Sequence, residues 1–170
     1  HDLIFLPYIS EYELYNIINR IAKEIDETYE NTHTSSPPII LGILNGSFIF
    51  LGDLAKRISI DCEIDFIKMT SYEGTNTSGK VTEVIGLTKD IRDRDILIVE
   101  DIVDTGLTIE NLTKKLEEKN PRSIKICTLL HKNRNINIDI EHDTSCNNSM
   151  INFVGKTIPD IFVVGYGMDY

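Results

Sequence analysis

Ile96-Leu97-Ile98-Val99 is an unbroken apolar run that meets Glu100 and Asp101 without an intervening loop, and no other segment limits the fold as tightly. A run without alternation suits a strand covered on both faces, which places it inside a parallel sheet. Parallel sheets are assembled from strand-helix units and turn the C-terminal ends of their strands toward the ligand crevice. Glu100 and Asp101 put two adjacent negative charges where the strand leaves the core, which costs free energy unless a cation, hydroxyl groups or basic side chains meet them. Asp104, Thr105, Gly106, Leu107 and Thr108 follow at once. Gly106 permits close backbone approach, and the two threonine hydroxyls with successive N–H groups can surround a phosphate. A helix N-terminus would add its partial positive charge. The region from Glu110 to Lys119 supplies that helix, with Leu112 and Leu116 one turn apart and Asn120-Pro121 as its stop. An acid site beside an anion site suits a ligand carrying both hydroxyls and a phosphate, such as a sugar phosphate.

The rest of the chain repeats the strand-helix rhythm. Ser10 to Glu13 reads as a capping box, and Leu14, Ile17, Ile18, Ile21, Ala22 and Ile25 follow at helical spacing. After a polar, proline-ended linker from Asn31 to Pro38, Ile39 to Leu44 reads as a buried strand. Asn45-Gly46-Ser47 then leads into an apolar helix from Phe48 to about Ile58. Cys62 to Thr70 and Lys80 to Leu87 read as strands, with Ser71 to Gly79 between them small, polar and flexible. Ser123 to Leu130 is the strand after the second helix, Asn133 to Asn148 is polar and Asn-rich, and Ile161 to Val164 reads as the last strand. Strand and helix alternate as in an α/β fold with a central parallel sheet flanked by helices.

With 170 residues and 41% hydrophobic content, the chain is long enough for one well-cored domain, and no composition break argues for two. A formal charge of −10 speaks against a nucleic-acid partner, which needs a broad basic surface. A phosphorylated ligand must therefore be met locally. Cys62, Cys127 and Cys146 form no Cys-x-x-Cys pair, and so sparse a set fits structural thiols in a reducing compartment. No apolar segment approaches the ~20 residues of a membrane span, and no charged-then-apolar signal opens the chain. The expectation is a cytoplasmic protein whose N-terminus, His1, has been trimmed, and the sequons at Asn76, Asn111 and Asn147 are chance matches.

Two rival chemistries present themselves. Gly74 to Lys80 matches a Walker A loop up to its last position, so a P-loop-like nucleotide hydrolase is one alternative. The match fails at Val81, where a hydroxyl for Mg²⁺ is needed, and Val81 to Leu87 reads as a strand where a helix must begin. A phosphoacceptor signalling domain could use Glu100 and Asp101 for Mg²⁺ with Lys132 opposite, but it leaves the phosphate turn without purpose.

Glu100-Asp101-Ile102-Val103-Asp104-Thr105-Gly106-Leu107-Thr108 resembles the signature of the type I phosphoribosyltransferases, which bind 5-phosphoribosyl-1-pyrophosphate. Leu44-Asn45-Gly46-Ser47-Phe48 resembles their pyrophosphate loop, and Ser71-Tyr72 the start of the mobile lid. Leu129 to Lys132 is similar to the purine-contacting strand end, and Val154-Gly155 through Ile158-Pro159-Asp160 to Phe162 and Tyr170 to the base-binding hood. The order and spacing are like those of the hypoxanthine (hypoxanthine-guanine) phosphoribosyltransferases, over residues 3 to 170.

The resemblance implies a single phosphoribosyltransferase domain over 1–170, with a small hood formed by the chain ends and a lid loop, and a further C-terminal stretch, carrying a pyrophosphate-binding arginine, beyond Tyr170. It implies purine salvage: hypoxanthine, with guanine, and the phosphoribosyl donor give IMP or GMP and pyrophosphate. The alternative on the same fold is a non-enzymatic regulatory protein that binds the donor or a nucleotide. Glu100 and Asp101 would hold the ribose hydroxyls with Mg²⁺ nearby, and Asp169 would reach a second Mg²⁺. Asp104 would be the general base near purine N7, and Asp104 to Thr108 would wrap the 5′-phosphate. Leu44, Asn45 and Gly46 would meet pyrophosphate, helped by a cis Leu44-Asn45 peptide. Lys132 would donate to purine O6, Phe162 would stack on the base, and Val163 would touch it through main chain. Three features depart from the family pattern: Asn45 where lysine is common, Leu107 at a position often basic or polar, and the end at Tyr170. The resemblance also implies a homodimer or homotetramer.

Overall fold

The computed structural model describes residues 4–30, 32, 36–73, 80–133 and 151–168. The chain begins with α1 (Glu11–Glu30), β1 (Ile39–Leu44) and α2 (Ser47–Ala55), then forms β2 (Glu63–Glu73), β3 (Lys80–Ile85) and β4 (Asp95–Val103), and finishes with α3 (Leu107–Glu117), β5 (Ser123–Lys132) and β6 (Phe153–Ile158). The strands make one sheet in the order β3-β2-β1-β4-β5-β6. Five of them run parallel, while β3 turns back antiparallel to β2 at the edge.

The two apolar runs sit where unbroken burial is required. Ile39, Ile40 and Leu41 of β1 and Ile96, Leu97, Ile98 and Val99 of β4 are each 0% exposed, and the two strands pair in register from Ile39 opposite Ile96. Their side chains alternate between two cores. Ile40, Leu97 and Val99 join α1 and α2 on one face, whereas Ile39, Leu41, Ile96 and Ile98 join Ile109, Leu112 and Leu116 of α3 on the other. Burial of each such side chain contributes about 1.5–3 kcal/mol.

α1 starts as its capping residues require, with Glu13 N donating to Ser10 Oγ at 3.1 Å, and it buries Ile17, Ile18, Ile21, Ala22 and Ile25. It lies close over β6 because Gly155 has no side chain. A Cβ there would meet Leu129 O at 2.3 Å and Ile17 Cγ2 at 2.9 Å, and Arg20 of α1 donates to Gly155 O at 2.6 Å.

The structure corrects several boundaries. The last strand is β6, Phe153–Ile158, and not Ile161 to Val164. Pro159 offers no N–H to a ladder, and Ile161 N donates to Pro159 O at 2.8 Å, so the chain turns there. The acidic strand continues past Val99 to Val103, which makes Glu100 and Asp101 members of the sheet. α3 begins at Leu107 and not at Glu110. Ser71 and Tyr72 extend β2, opposite Thr82 and Val81 of β3, where a flexible segment was expected; residues 74–79 lie outside the described residues. With Lys80–Ile85 a strand, the helix that a Walker A loop requires is not present.

Candidate active site

In the sheet order, the connections from β1 lead outward to β2 on one side and those from β4 lead outward to β5 and β6 on the other. The neighbouring pair β1 and β4 is therefore a topological switch point, and loops leaving their C-terminal ends diverge and open a crevice. A cavity of about 320 Å³ lies there, lined by Leu44, Asn45, Gly46, Glu100, Asp101, Asp104, Lys132, Phe162 and Val163, together with Ile43, Ile102 and Met168. Nine of the residues singled out in the sequence thus meet in one place. Ile43 and Ile102 had no polar signal to mark them; Met168 stood within the expected hood without a role.

The β1 wall is a close fit. The Leu44-Asn45 peptide is cis, and Gly46 caps α2 with φ −60° and ψ −43°. Its missing side chain makes room for an acid: a Cβ on Gly46 would lie 2.1 Å from Asp101 Oδ2. Ser47, 0% exposed, donates from Oγ to Ile43 O at 2.6 Å and ties the loop back to the strand.

On the β4 wall, Asp101 is buried and Glu100 Oε2 is buried without a hydrogen-bond partner. Burial, and then the neighbouring Asp101 charge, pushes the Glu100 carboxyl up to about 8. A buried carboxylate oxygen lacking a donor is an uncommon and costly arrangement, and it suits ligand hydroxyls or a hard cation with oxygen ligands. Asp169 lies outside the described residues, and no group of three or more candidate metal ligands occurs among those described.

Next to this pair, Gly106 takes φ +77°, a left-handed conformation that favours glycine, and starts α3. Glu110 N donates to Gly106 O at 2.9 Å, while Leu107 N makes a long contact of 3.4 Å to Thr105 Oγ1. Thr105, Leu107 and Thr108 are exposed around the helix N-terminus, where amides without intrahelical partners and the helix dipole favour an anion. They adjoin Asp104 in sequence rather than lining the cavity itself.

The third wall comes from the end of β5 and the segment after β6. Lys132 is 14% exposed, and its Nζ lies 3.5 Å from Asp104 Oδ2 and 3.5 Å from Asp160 Oδ1. His131 beside it is buried and does not line the cavity. Phe162, which periodicity alone would assign to the core, is 62% exposed and stands 6.3 Å, centroid to centroid, from Phe5 near the other chain end. Gly165 and Met168 form an isolated bridge around Tyr166 and Gly167, whose φ values of +53° and +92° make a tight left-handed turn. Tyr166 Oη donates to Asp53 Oδ2 of α2 at 2.5 Å, and a Cβ on Gly167 would lie 2.8 Å from Gly46 O. The hood thus rests on the β1 loop, an anchorage the sequence did not suggest. Ser71 and Tyr72 are on β2, paired with Thr82 and Val81 of β3.

Glu100, Asp101, Asp104, Lys132 and the exposed Phe162 line one crevice, the α3 N-terminus follows Asp104 in the chain, and the family model for the phosphoribosyl transferase domain matches residues 10–170. The chain belongs to the phosphoribosyltransferase family. Among similar phosphoribosyltransferases, the hypoxanthine phosphoribosyltransferase of Buchnera aphidicola is 41% identical over 165 residues, covering 95% of this chain and 86% of that protein. The hypoxanthine-guanine phosphoribosyltransferase of Staphylococcus aureus is 40% identical over 154 residues, 90% of this chain and 81% of that protein. A crystal structure of a hypoxanthine-guanine phosphoribosyltransferase from Bacillus anthracis superimposes with a TM-score of 0.78 at 31% identity, covering 99% of this chain and 90% of that one. The fold is that of the type I phosphoribosyltransferases.

Proposed function

We propose that this phosphoribosyltransferase is a purine salvage enzyme that joins hypoxanthine, and guanine with it, to 5-phosphoribosyl-1-pyrophosphate, giving IMP or GMP and pyrophosphate. The observation that carries the reading is that Lys132 and exposed Phe162 line the same cavity as Glu100 and Asp101. A flat 6-oxo base would stack on the aromatic face and accept at O6 from the ammonium, while the acids accept from ribose hydroxyls. Similarity to hypoxanthine phosphoribosyltransferases over 95% of the chain supports the same substrate class.

In this reading the α3 N-terminus, with Thr105 and Thr108, holds the 5′-phosphate, and the backbone from Leu44 to Gly46 meets pyrophosphate. Asn45 adds no charge, so that contact rests on backbone groups. Purine N9 attacks the anomeric carbon as the bond to pyrophosphate breaks, and Asp104 takes the proton released at N7. Lys132 donates to O6, and Val163 meets the base through main chain. Ser71 and Tyr72, at the end of β2, begin the lid that excludes water. The unpartnered Glu100 Oε2 and adjacent Asp101 are hard oxygen donors that would hold Mg²⁺, and Asp169 would hold a second ion. When bound, Mg²⁺ supplies countercharge to the departing pyrophosphate.

The chain acts in this reading as a homodimer or homotetramer in the cytoplasm; no helix among the described residues is long and apolar enough to cross a membrane. The test is pyrophosphate release from the donor with hypoxanthine, guanine, xanthine or adenine, with and without Mg²⁺. Turnover with 6-oxopurines that requires Mg²⁺ is expected, and no turnover with any purine sinks the enzyme. Asp104→Asn should lower kcat by about 10²-fold or more, far more than it lowers IMP affinity.

A further inference from the structure

We propose that Asp160 is a positioning residue for Lys132, holding its ammonium between two carboxylates so that it presents a donor to the base without collapsing onto Asp104. The inference rests on the purine reading of the site and adds a residue to which that reading gives no role.

Lys132 Nζ lies 3.5 Å from both Asp104 Oδ2 and Asp160 Oδ1, long contacts that hold the charge between two carboxylates while the ammonium, with three N–H donors, can still donate to a ligand oxygen. With a single carboxylate nearby, the charge would draw the flexible side chain toward Asp104. That would remove the donor from O6 and occupy the oxygen meant to accept the purine proton. A second carboxylate at an equal distance opposes that pull, and the ammonium stays on the cavity wall, where it is 14% exposed.

The backbone fixes Asp160 for this task. Pro159 precedes it with a locked φ, and Ile161 N donates across it to Pro159 O at 2.8 Å, closing a three-residue turn with Asp160 at the centre. At the base of that turn, Asn133 N, from the residue after Lys132, donates to Ile158 O at 2.8 Å. Two residues beyond Asp160, Phe162 presents the ring on which the base would lie, so the carboxylate sits at the join between the sheet and the hood.

The test compares wild type, Asp160→Asn and Asp160→Glu by calorimetric titration with IMP and with ribose 5-phosphate, which lacks a base. Asp160→Asn should weaken IMP by roughly tenfold and ribose 5-phosphate by less than about twofold, with Asp160→Glu recovering most of the loss. In steady state the KM for hypoxanthine should rise while the KM for the phosphoribosyl donor stays put. Unchanged IMP affinity, equal losses for both ligands, or a Glu variant no better than Asn each overturn the proposal. A wild-type chain that binds IMP without turning over overturns the enzymatic reading alone, because the affinity comparison needs no catalysis.

Discussion

Glu100 is held in two protonation regimes by one location. In the folded, ligand-free chain its carboxyl is pushed up to about 8 from an ordinary 4.5, first by burial and then by Asp101. Between those values the folded state keeps a proton that the unfolded state has lost. Unfolded chains therefore bind fewer protons in that window, and stability falls as pH rises through it. Glu100→Gln removes this linkage. Its melting temperature, measured without Mg²⁺ or nucleotide, should decline less than that of wild type between about pH 5 and pH 8; an equal decline would contradict the burial account. Ligand hydroxyls reverse the preference, since they donate to the ionised form. Glu100 and Asp101 were legible in sequence because charge so close to an apolar run is rare. Phe162 was not legible from its pattern, as Ile161 to Val164 looks like buried strand. Only its position after the Pro159 turn leaves the ring at 62% exposure.

Helix α2 and its N-cap carry two glycines with opposite demands. Gly52 has nothing within 4 Å of the place where a Cβ would stand, while a Cβ on Gly46 would meet the Asp101 carboxylate at 2.1 Å. Gly52→Ala should stabilise the protein by about 0.5–1 kcal/mol through helix propensity and lower chain entropy, seen as a higher melting temperature with activity unchanged. Gly46→Ala must displace either the loop or the acid. It should lower kcat/KM by about 10²-fold or more, as expected when binding groups shift by about 1 Å. Similar losses for the two variants would remove the case for close packing at the loop. Among the elements, buried β1 and β4 and amphipathic α1 could be read directly. β6 could not, because Gly155 and Lys156 break its apolar pattern, and those residues answer to α1: Gly155 gives way to Leu129 O and Ile17, and Lys156 pairs with Glu13. Such tertiary demands leave no local periodicity to detect.

Across the whole molecule, the hood packs Ile161, Val163, Tyr166 and Met168 against the core and is fastened further at two points. The Tyr166 hydroxyl on Asp53 links it to α2, burial and that bond push the phenol above its usual range, and Gly167 rests on Gly46. Tyr166→Phe removes the hydrogen bond while keeping the ring, so stability should drop by only about 1 kcal/mol. The KM for hypoxanthine should rise more than that for the phosphoribosyl donor, by a factor that steady-state kinetics can read. Equal changes in both would mean the clip serves the fold alone. Strand order was beyond reach of the sequence, since nothing local says that β1 lies between β2 and β4; the crevice, however, depends on it. The chain departs in opposite directions from β1 and β4, and on the β4 side the groups proposed for the ribose and 5′-phosphate come from residues 100–108, while those proposed to contact the base at O6 and on its face come from 132–168. With base and sugar phosphate served by separate stretches of chain, the choice of nucleobase can be altered by substitutions within 132–168 that leave the turn before α3 untouched.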